Sequence, residues 1–336
     1  MSHTYKNIVH ILQSASIIFL LTFSLVNAQA DLSDIPRMNA DEVSIEFSPE
    51  YPDAFSPVAI SLRTFSIDLD LHFVTWYING ERFDAGFGRD TIQITTGDYG
   101  ENVRITADIS LQDNTTVTKN ISLQPNVVDL IWEAIDSYTP PFYKGKALPT
   151  RGGLIKFSAL PYVVNNNQSL RPTQLAYTWD WEYKTIGDRS GFAKDSFIIE
   201  TNIIRNQERV SVEARTTSGD YSARSTNIVE LVDPELDVYA TNKLPRELID
   251  STFSTVQNQT TLQLVPYFFA TGMDNNLAKL NYSWKINESP IEPPVSPFLL
   301  PVSINSPGRI ELEATVRDPK FRSTRATNNF NVNLIE

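Results

Sequence analysis

A short aromatic segment recurs three times along this chain at nearly constant spacing. Each copy alternates side-chain character around a central tryptophan. The copies are Val74–Gly80, Tyr177–Tyr183 and Tyr282–Asn287. Their tryptophans, at positions 76, 179 and 284, are 103 and 105 residues apart. This period matches one β-sandwich domain of about 100 residues. The repeat therefore favours a tandem array of small domains, with Trp76, Trp179 and Trp284 predicted to lie in the cores.

A second pattern follows each tryptophan. Apolar residues occupy every second position of a short run that ends on alanine. The runs are Val103–Ala107, Val210–Ala214 and Ile310–Ala314. Alternation with a period of two is typical of a strand that buries one face. Outside the N-terminal segment, no apolar face at helical spacing extends over more than two turns. The sequence therefore predicts an all-β chain.

Further matches link the copies in pairs. Copies one and two share related stretches at Ala85–Ile94 and Ser190–Ile199. Copies two and three share Pro161-Tyr162 and Pro266-Tyr267, each pair beginning 18 residues before its tryptophan. Because the spacing is preserved on both sides of the tryptophan, the copies are interpreted as whole repeated domains.

These landmarks predict three immunoglobulin-like β-sandwich domains, at 41–126, 127–234 and 235–336. Val127–Ala134 and Glu235–Ala240 are predicted as the opening strands of the second and third domains. The closing segment, Phe330–Leu334, is predicted as an edge strand. Both junctions are short and contain proline, which favours a semi-rigid rod.

The N-terminal segment carries the features of an export signal. Lys6 precedes an apolar run at Ile17–Val26, and Ala28-Gln29-Ala30 fits a signal-peptidase site. We predict a signal peptide at 1–30, a lead at 31–40, and a mature protein that is extracellular or on the cell surface. The alternative is an uncleaved N-terminal anchor, and only in that case is a membrane a predicted partner.

Composition excludes several classes of function. The chain has no cysteine, which rules out cysteine-ligated metals and thiol nucleophiles. Its net charge of −12 opposes binding to phosphate backbones, so no nucleic acid is predicted as a partner. No cofactor is predicted. Calcium at the second junction, around Asp233–Asp237, is an alternative, although no Asp-x-Asp-x-Asp-Gly loop is present.

The tryptophan strand, the later alternating strand and the glycine-containing link between them resemble the Ig-like and PKD-like domains of exported bacterial surface proteins. Val74–Gly80 is similar to the strand that fills the core of those domains. Trp132–Pro149 resembles a segment of uncharacterised secreted proteins of candidate-phylum bacteria. The resemblance covers nearly all of 41–336 and implies architecture and a surface location, and no activity. The chain departs from antibody domains in lacking both cysteines.

Catalytic chemistry finds little support in the sequence. His72 is the only histidine after residue 30, and it is interpreted as a residue at a strand start or on the surface. Carboxylates alone can hydrolyse glycosides, and the candidate pairs are Asp180 with Glu182 and Asp68 with Asp70. Each pair is predicted on the polar face of a strand, where solvated acids are the simpler interpretation. We predict no catalytic residue, no metal ligand and no enzyme.

Two segments are candidates for binding. Tyr177, Trp179, Trp181 and Tyr183 are predicted on one face of one strand, where Trp181 aligns with two core isoleucines. Core packing is the preferred interpretation of that face, and a sugar-stacking surface is the alternative. The second candidate is Tyr138–Pro149, which combines adjacent prolines, aromatic residues and lysines in an acidic chain. Its predicted binding residues are Phe142, Tyr143, Lys144 and Lys146.

The loop at Tyr138–Pro149 has two interpretations. Its aromatic residues either fold back over the domain or wedge the junction with a neighbour, or they bind a partner directly. The main functional hypothesis is a non-enzymatic surface protein that presents β-sandwiches to a protein or glycan. The alternatives are a carbohydrate-binding accessory module and a hydrolase that uses carboxylates alone.

Overall fold

The computed structural model describes residues 42–165, 168–241, 247–255, 259–294, 296–303, 306–321 and 324–334. The predicted signal peptide at 1–30 and lead at 31–40 lie outside these residues. The described chain is built from β-strands, and its only helices are three single turns of 3-10 helix. These turns are Leu69–Leu71, Pro172–Gln174 and Leu277–Lys279. The all-β prediction is confirmed. In this part of the chain no helix is long and apolar enough to cross a membrane.

Sandwich 1 consists of a three-stranded sheet packed on a four-stranded sheet. The strand orders are β1-β2-β5 and β4-β3-β6-β7. All pairings are antiparallel, and β3 carries the first tryptophan of the repeat. The strands are β1 Ser44–Ser48, β2 Pro57–Arg63, β3 Phe73–Ile78, β4 Glu81–Phe87, β5 Thr91–Thr95, β6 Val103–Ser110 and β7 Thr116–Leu123.

Sandwich 2 repeats this arrangement with additions. Its sheets have the orders β15-β9-β8 and β13-β12-β16-β17, while β14 pairs with β12 and β10 with β11. The predicted opening strand is confirmed at β8. The strands are β8 Val127–Ala134, β9 Leu154–Tyr162, β10 Val164–Asn165, β11 Gln168–Ser169, β12 Ala176–Trp181, β13 Lys184–Thr185, β14 Gly191–Phe192, β15 Ser196–Glu200, β16 Gln207–Arg215 and β17 Ser222–Glu230.

Sandwich 3 has one four-stranded and one five-stranded sheet, with the orders β19-β18-β21-β24 and β20-β26-β25-β22-β23. The predicted opening strand is confirmed at β18. The strands are β18 Glu235–Ala240, β19 Glu247–Ile249, β20 Thr252–Thr255, β21 Gln259–Tyr267, β22 Asn281–Ile286, β23 Ser289–Ile291, β24 Leu299–Ser303, β25 Gly308–Arg317 and β26 Arg325–Leu334.

The prediction that the closing strand lies at a sheet edge is wrong. β26 lies between two partners, pairing antiparallel with β25 and in parallel with β20. The parallel partner, Thr252–Thr255, is polar and distant in sequence. Nothing in the local pattern of the last strand signals that a segment so far away covers its outer edge.

One buried tryptophan lies in each of the three cores. Trp76, Trp179 and Trp284 are all buried among apolar side chains. Their indole N–H groups donate to backbone carbonyls of the connections that follow, those of Arg89, Lys194 and Pro297. The predicted core role of the three tryptophans is confirmed, and their polar N–H groups are satisfied as burial requires.

Trp181 occupies a different environment. It is half-buried at the rim of the second core, as Ile78 and Ile286 are at the same place in the other sandwiches. Its indole N–H donates to the carboxylate of Glu208 at 2.7 Å, and the Glu208 side chain is fully buried. Trp181 therefore contributes to the core from its edge, without the full burial of Trp179.

The strand that carries each tryptophan ends in a left-handed two-residue turn. Asn79-Gly80, Glu182-Tyr183 and Asn287-Glu288 all have positive φ at both positions. A two-residue hairpin turn of this kind matches the right-handed twist of the strands that it joins. The turn ends the alternation at Trp181, so Tyr183 leaves the face that Tyr177 and Trp179 share and is largely exposed. The prediction that Tyr183 lies on that face is wrong.

Candidate functional site

The most elaborate contact between sandwiches is made by the connection 135–153, which lies between β8 and β9. Its first residues pair with sandwich 3 through backbone hydrogen bonds. The Tyr138 N–H donates to the Phe269 carbonyl at 2.9 Å, and the Phe268 N–H donates to the Tyr138 carbonyl at 2.7 Å. Ser137 and Ala270 form an antiparallel bridge. This segment therefore adds a short ladder to the neighbouring sandwich.

The adjacent prolines follow this ladder directly. Pro140 and Pro141 have no backbone N–H to donate, so the pairing with sandwich 3 does not continue through them. The chain turns instead, and the Tyr143 N–H donates to the Pro140 carbonyl at 2.9 Å. The local sequence thereby places the two aromatic residues of the loop beside sandwich 3.

Tyr143 packs into an aromatic cluster that belongs to the junction. Its ring lies 5.8 Å from that of Tyr267 and 5.6 Å from that of Phe268, both in edge-to-face orientation. Tyr267 and Phe268 are buried, and Leu148 and Val232 pack against them. Burial raises the pKa of the Tyr267 hydroxyl far above its usual value, and neighbouring Tyr239 and Asp237 raise it further.

The other predicted binding residues occupy distinct positions. Phe142 packs edge-to-face on Tyr239 at 5.8 Å, while 52% of its surface remains exposed. The Lys146 ammonium lies 3.1 Å from the ring centre of Trp132 within sandwich 2, and desolvation lowers the pKa of this lysine. Lys144 is exposed. The loop thus brings Phe142 and Tyr143 onto sandwich 3, while Lys146 lies on Trp132 of its own sandwich.

A second set of contacts holds the junction on another face. The ring of Phe321 packs over Gly152 so closely that a Cβ added at Gly152 would lie 2.3 Å from it. The Lys320 ammonium is 2.6 Å from the Glu200 carboxylate, and Arg151 pairs with Asp233. Exposed ion pairs of this kind are individually weak. The aromatic contact with glycine is the more restrictive feature, because only glycine leaves room for the ring.

Between these contacts lies a cleft of about 460 Å³. Asp136 lines it and is almost fully buried, with its carboxylate accepting the Leu154 N–H at 2.8 Å. Burial raises the pKa of Asp136 above its usual value, while the hydrogen bond from Leu154 opposes that shift. The cleft is mixed in charge, since Lys279 and Lys320 line it together with Glu200.

The junction between sandwiches 1 and 2 is built from the equivalent end of sandwich 2. A Cβ added at Gly100 would lie 2.7 Å from Val164. The side-chain amide of Gln124 donates to the Val164 carbonyl at 2.6 Å, and the rings of Tyr99 and Tyr162 meet at 6.3 Å. Both junctions therefore use the residues at and just after the end of the second long strand of the following sandwich.

This equivalence explains the proline–tyrosine pair shared by copies two and three. Tyr162 and Tyr267 end β9 and β21, and each faces the preceding sandwich. Sequence analysis found the pair but assigned it no role. The pair lies at a fixed distance from the tryptophan in copies two and three and is absent from copy one. This distribution was the feature of the sequence that could have indicated a role in contacts between sandwiches.

The carboxylate pairs proposed for hydrolysis are engaged in other interactions. Asp180 pairs with Arg224 at 2.8 Å and accepts a hydrogen bond from Thr185. Glu182 lies in the turn after β12, beyond the strand, and accepts the Arg209 N–H at 2.7 Å. The prediction that both acids alternate on the polar face of one strand is therefore wrong for Glu182, because the left-handed turn ends the strand before it.

Asp68 and Asp70 also lie outside any strand. The Asp68 carboxylate caps a single turn of 3-10 helix by accepting the Asp70 N–H at 3.1 Å. The placement of this pair on a strand is wrong, since the turn interrupts the chain before β3. His72 follows the turn and is buried, with its Nδ1 2.8 Å from the Asp68 carbonyl.

The acidic residues and the aromatic strand of sandwich 2 bear on metal and sugar binding. Among the described residues, no group of three or more histidine or acidic side chains is arranged to hold a metal ion. Tyr177 and Trp179 are buried, so their rings offer no face to a sugar. Tyr183 is exposed, and the Arg209 guanidinium lies 4.8 Å from its ring centre.

No protein-family model matches the chain, and no curated protein sequence matches it. Several solved structures of tandem domains are similar to it. Fibronectin(III)-like modules of Clostridium thermocellum CbhA share 14% sequence identity with this chain, with a TM-score of 0.27. The match covers 56% of this chain and 93% of the CbhA modules. The three N-terminal domains of the bacteriophage RB49 highly immunogenic outer capsid protein share 11% identity over 88% of this chain and 99% of that one, with a TM-score of 0.24.

A third similar structure is SGBP-B of the Bacteroides ovatus mixed-linkage glucan utilization locus, in complex with a mixed-linkage heptasaccharide. It shares 14% identity over 89% of this chain and 71% of that one, with a TM-score of 0.19. Likeness at these identities and TM-scores supports no functional assignment. The paired sheets and the three separate cores show that the described chain consists of tandem immunoglobulin-like β-sandwiches.

Proposed function

We propose that this chain is a non-enzymatic, exported protein of the cell surface or extracellular space that presents a rod of β-sandwiches to a protein or glycan partner. The observation that carries this proposal is the double attachment of sandwich 3 to sandwich 2. Tyr143 packs on Tyr267 and Phe268 on one side, and Phe321 covers Gly152 on the other. Such contacts favour a fixed relative orientation of the two sandwiches, which suits a presenting scaffold.

The engaged state of the candidate acids supports a non-enzymatic role. Asp180 pairs with Arg224, while Glu182 pairs with Arg205 and accepts the Arg209 N–H. Glycoside hydrolysis by carboxylates needs two acids about 5–10 Å apart on opposite sides of a bond. These partners occupy both carboxylates of the pair that the sequence proposed, which argues against their use in hydrolysis.

We place the partner contact on the outer side of the loop that spans the junction. Phe142 keeps half of its surface exposed beside Tyr239, and Lys144 is exposed two residues away. A half-exposed aromatic residue that is held in place by a neighbouring ring is typical of binding surfaces. Tyr143 anchors the loop that carries this surface in the aromatic cluster, and Lys146 anchors it on Trp132.

The proposal can be tested in two stages. Protease shaving of intact source cells, followed by mass spectrometry, should release peptides of the described sandwiches and a mature N-terminus at Asp31. Retention of all peptides inside the cells would contradict the surface location. An N-terminus that retains residues 1–30 would favour the anchored form instead.

The partner surface is tested with the double variant Phe142→Ala, Lys144→Glu. Binding partners would be identified by glycan array and by cross-linking of the chain to surface extracts. The double variant should then bind the identified partner at least about tenfold more weakly, as expected for loss of a central aromatic contact. The control is Tyr183→Ala, which removes an exposed aromatic side chain from another part of sandwich 2. Equal binding by the double variant and the control would contradict this placement.

A further inference from the structure

A cleft of about 780 Å³ lies at the junction between sandwiches 1 and 2. It spans β1 and β7, which are edge strands of the two sheets of sandwich 1, and the turn between β16 and β17 bounds it on the other side. A smaller cavity of about 120 Å³ adjoins it. The residues that line both cavities are Phe47, Ser122, Asp220 and Tyr221. Pockets of this size between two domains are typical places for small ligands.

Sandwich 1 contributes one wall of the cleft, which carries hydrogen-bonding side chains. Arg104 of β6 lies opposite Ser122 of β7, and Asn120 lies on the same face of β7, so all three side chains point away from the core. The Asn120 side-chain carbonyl accepts the Thr106 hydroxyl at 2.6 Å, which leaves its amide N–H groups for another acceptor. Phe47 of β1 is half-buried against the core and adds an apolar surface to this wall.

Sandwich 2 contributes the other wall through a turn that its own hydrogen bonds hold in place. The Thr216 N–H donates to the Tyr221 carbonyl at 3.0 Å, and the Thr216 hydroxyl accepts the Tyr221 N–H at 3.3 Å. The Tyr221 ring packs against the core of sandwich 2, and its hydroxyl accepts a hydrogen bond from the Asn102 amide of sandwich 1 at 3.3 Å. Asp220 and Tyr221 are therefore held at the cleft before any ligand binds, which lowers the entropic cost of binding.

The charged groups of the cleft are not neutralised within the protein. Among the described residues, no ion pair includes Arg104 or Asp220. Arg104 disfavours a cationic ligand, while Asp220, together with Glu50 in the adjoining cavity, disfavours an anionic one. A neutral ligand with many hydroxyl groups avoids both penalties, because a hydroxyl can donate to a carboxylate and accept from a guanidinium or an amide. The rings of Phe47 and Tyr221 suit the apolar C–H faces that sugar rings present beside their hydroxyl groups.

We propose that the cleft between sandwiches 1 and 2 binds a neutral oligosaccharide. Arg104, Asn120 and Asp220 bond to its hydroxyl groups, and its sugar rings pack on Phe47 and Tyr221. This inference rests on the proposed function, which admits a glycan as partner, and it adds a second surface and a class of glycan. The loop surface of the proposed function lies at the other junction, so the two surfaces can be tested separately. Binding in the cleft should change little between low and high salt, because the ligand carries no charge.

The experiment is isothermal titration calorimetry on a chain of residues 31–336, which retains every described residue. The probes are cellohexaose, xylohexaose and mannohexaose, with hexagalacturonate as an anionic probe of the same length. At least one neutral hexasaccharide should bind, and more tightly than hexagalacturonate. The double variant Arg104→Ala, Asp220→Ala should bind that sugar about tenfold or more weakly, because it removes hydrogen bonds to the ligand at two exposed positions.

The matched control is the double variant Arg82→Ala, Asp129→Ala. It makes the same two changes in the same two sandwiches, at exposed positions that do not line the cleft. The control variant should bind the sugar like the parent chain, and circular dichroism should show closely similar melting temperatures for all three proteins. In NMR spectra, addition of the sugar should shift the amide signals of Ser122 and Tyr221.

Four outcomes would overturn this inference. One is that no neutral hexasaccharide binds, which leaves a protein partner open for the proposed function. Another is preference for hexagalacturonate, and a third is equal weakening of binding in the two double variants. The fourth is that Phe142→Ala, Lys144→Glu abolishes sugar binding while Arg104→Ala, Asp220→Ala leaves it unchanged. That result would assign the glycan to the loop at the other junction and would uphold the proposed function.

Discussion

The indole N–H of Trp179 donates to the backbone carbonyl of Lys194 at 2.8 Å. Trp76 makes the same bond to Arg89 at 2.7 Å. In the sequence, Arg89 and Lys194 occupy matching positions of the stretches shared by copies one and two. The shared stretch is therefore the segment that accepts the buried indole N–H, and its repetition reflects a repeated way of closing the sandwich over its tryptophan.

Replacement of Trp179 should destabilise sandwich 2 more than any other change in its core. Trp179→Ala is expected to cost about 3–5 kcal/mol in the free energy of unfolding, because it leaves a large cavity. Trp179→Phe keeps much of the packing but leaves the Lys194 carbonyl without its donor, at a cost of about 1–3 kcal/mol. Urea denaturation followed by circular dichroism measures both. Tyr183→Ala, at an exposed site on the same hairpin, should change stability by less than about 0.5 kcal/mol.

Removal of the Tyr143 ring should loosen the junction without unfolding either sandwich. Tyr143→Ala deletes edge-to-face contacts with Tyr267 and Phe268, each worth roughly 0.5–1.5 kcal/mol beyond its area. Hydrogen exchange measured by NMR should then become faster at the Tyr138 and Phe268 amides, which bridge the two sandwiches. Amides in the Trp179 strand should be unaffected. Unchanged exchange at Tyr138 and Phe268 would contradict the role assigned to the cluster.

Gly152 should tolerate no side chain, for two separable reasons. Its φ of +77° strains any other residue by roughly 1–2 kcal/mol, and a Cβ would also meet the Phe321 ring at 2.3 Å. Gly219 has a similar φ of +82° with open space around it. Thermal denaturation should therefore show a larger loss for Gly152→Ala than for Gly219→Ala, by about 1–3 kcal/mol for the displaced ring. Equal losses would mean that the ring moves away freely.

Local patterns in the sequence were sufficient to predict the architecture. β8 and β18 begin and end at the predicted residues, Val127–Ala134 and Glu235–Ala240. Period-two alternation in these strands follows directly from burial of one face, and burial is decided largely within each domain. The repeated tryptophan supplied the number of copies, since a side chain of that size fills the centre of one core.

Contacts between distant segments were beyond the reach of the same patterns. Ala214 ends its run as Ala107 and Ala314 do. Ala214 nevertheless faces Tyr177, whereas the other two alanines face the tryptophans. Register depends on the partner strand, and a short run does not specify it. The sequence offered a junction contact for the loop at Tyr138–Pro149 as one interpretation, but the residues of sandwich 3 that receive the loop were missed for a related reason. The sequence shows the Pro266-Tyr267 pair at a fixed distance before the tryptophan. It does not show that Tyr267 contacts Tyr143, because Tyr143 belongs to another domain.

Asp136 should make the stability of the chain depend on pH in a direction opposite to that of most carboxylates. Burial raises the pKa of Asp136 in the folded chain above the unfolded value of about 3.9. In the range between those two pKa values the folded chain binds more protons at this site than the unfolded chain. The contribution of Asp136 to stability is therefore fully present below the unfolded pKa and is lost as pH rises through the folded pKa.

The variant that isolates this effect is Asp136→Asn, which keeps an oxygen to accept the Leu154 N–H and removes the charge. Compared with the parent chain, it should be more stable at pH 7, and the difference should shrink as the pH falls towards about 4, where the aspartate becomes protonated. Measuring the difference cancels the titration of carboxylates that do not interact with Asp136. The interactions of Asp136 with Glu200, which raises its pKa, and with Lys320, which lowers it, remain part of the measured difference. Denaturation midpoints between pH 4 and 7 provide the measurement. A difference that stays constant over this range, or that grows towards acid, would show that the Asp136 carboxylate is stabilised by the junction rather than desolvated there.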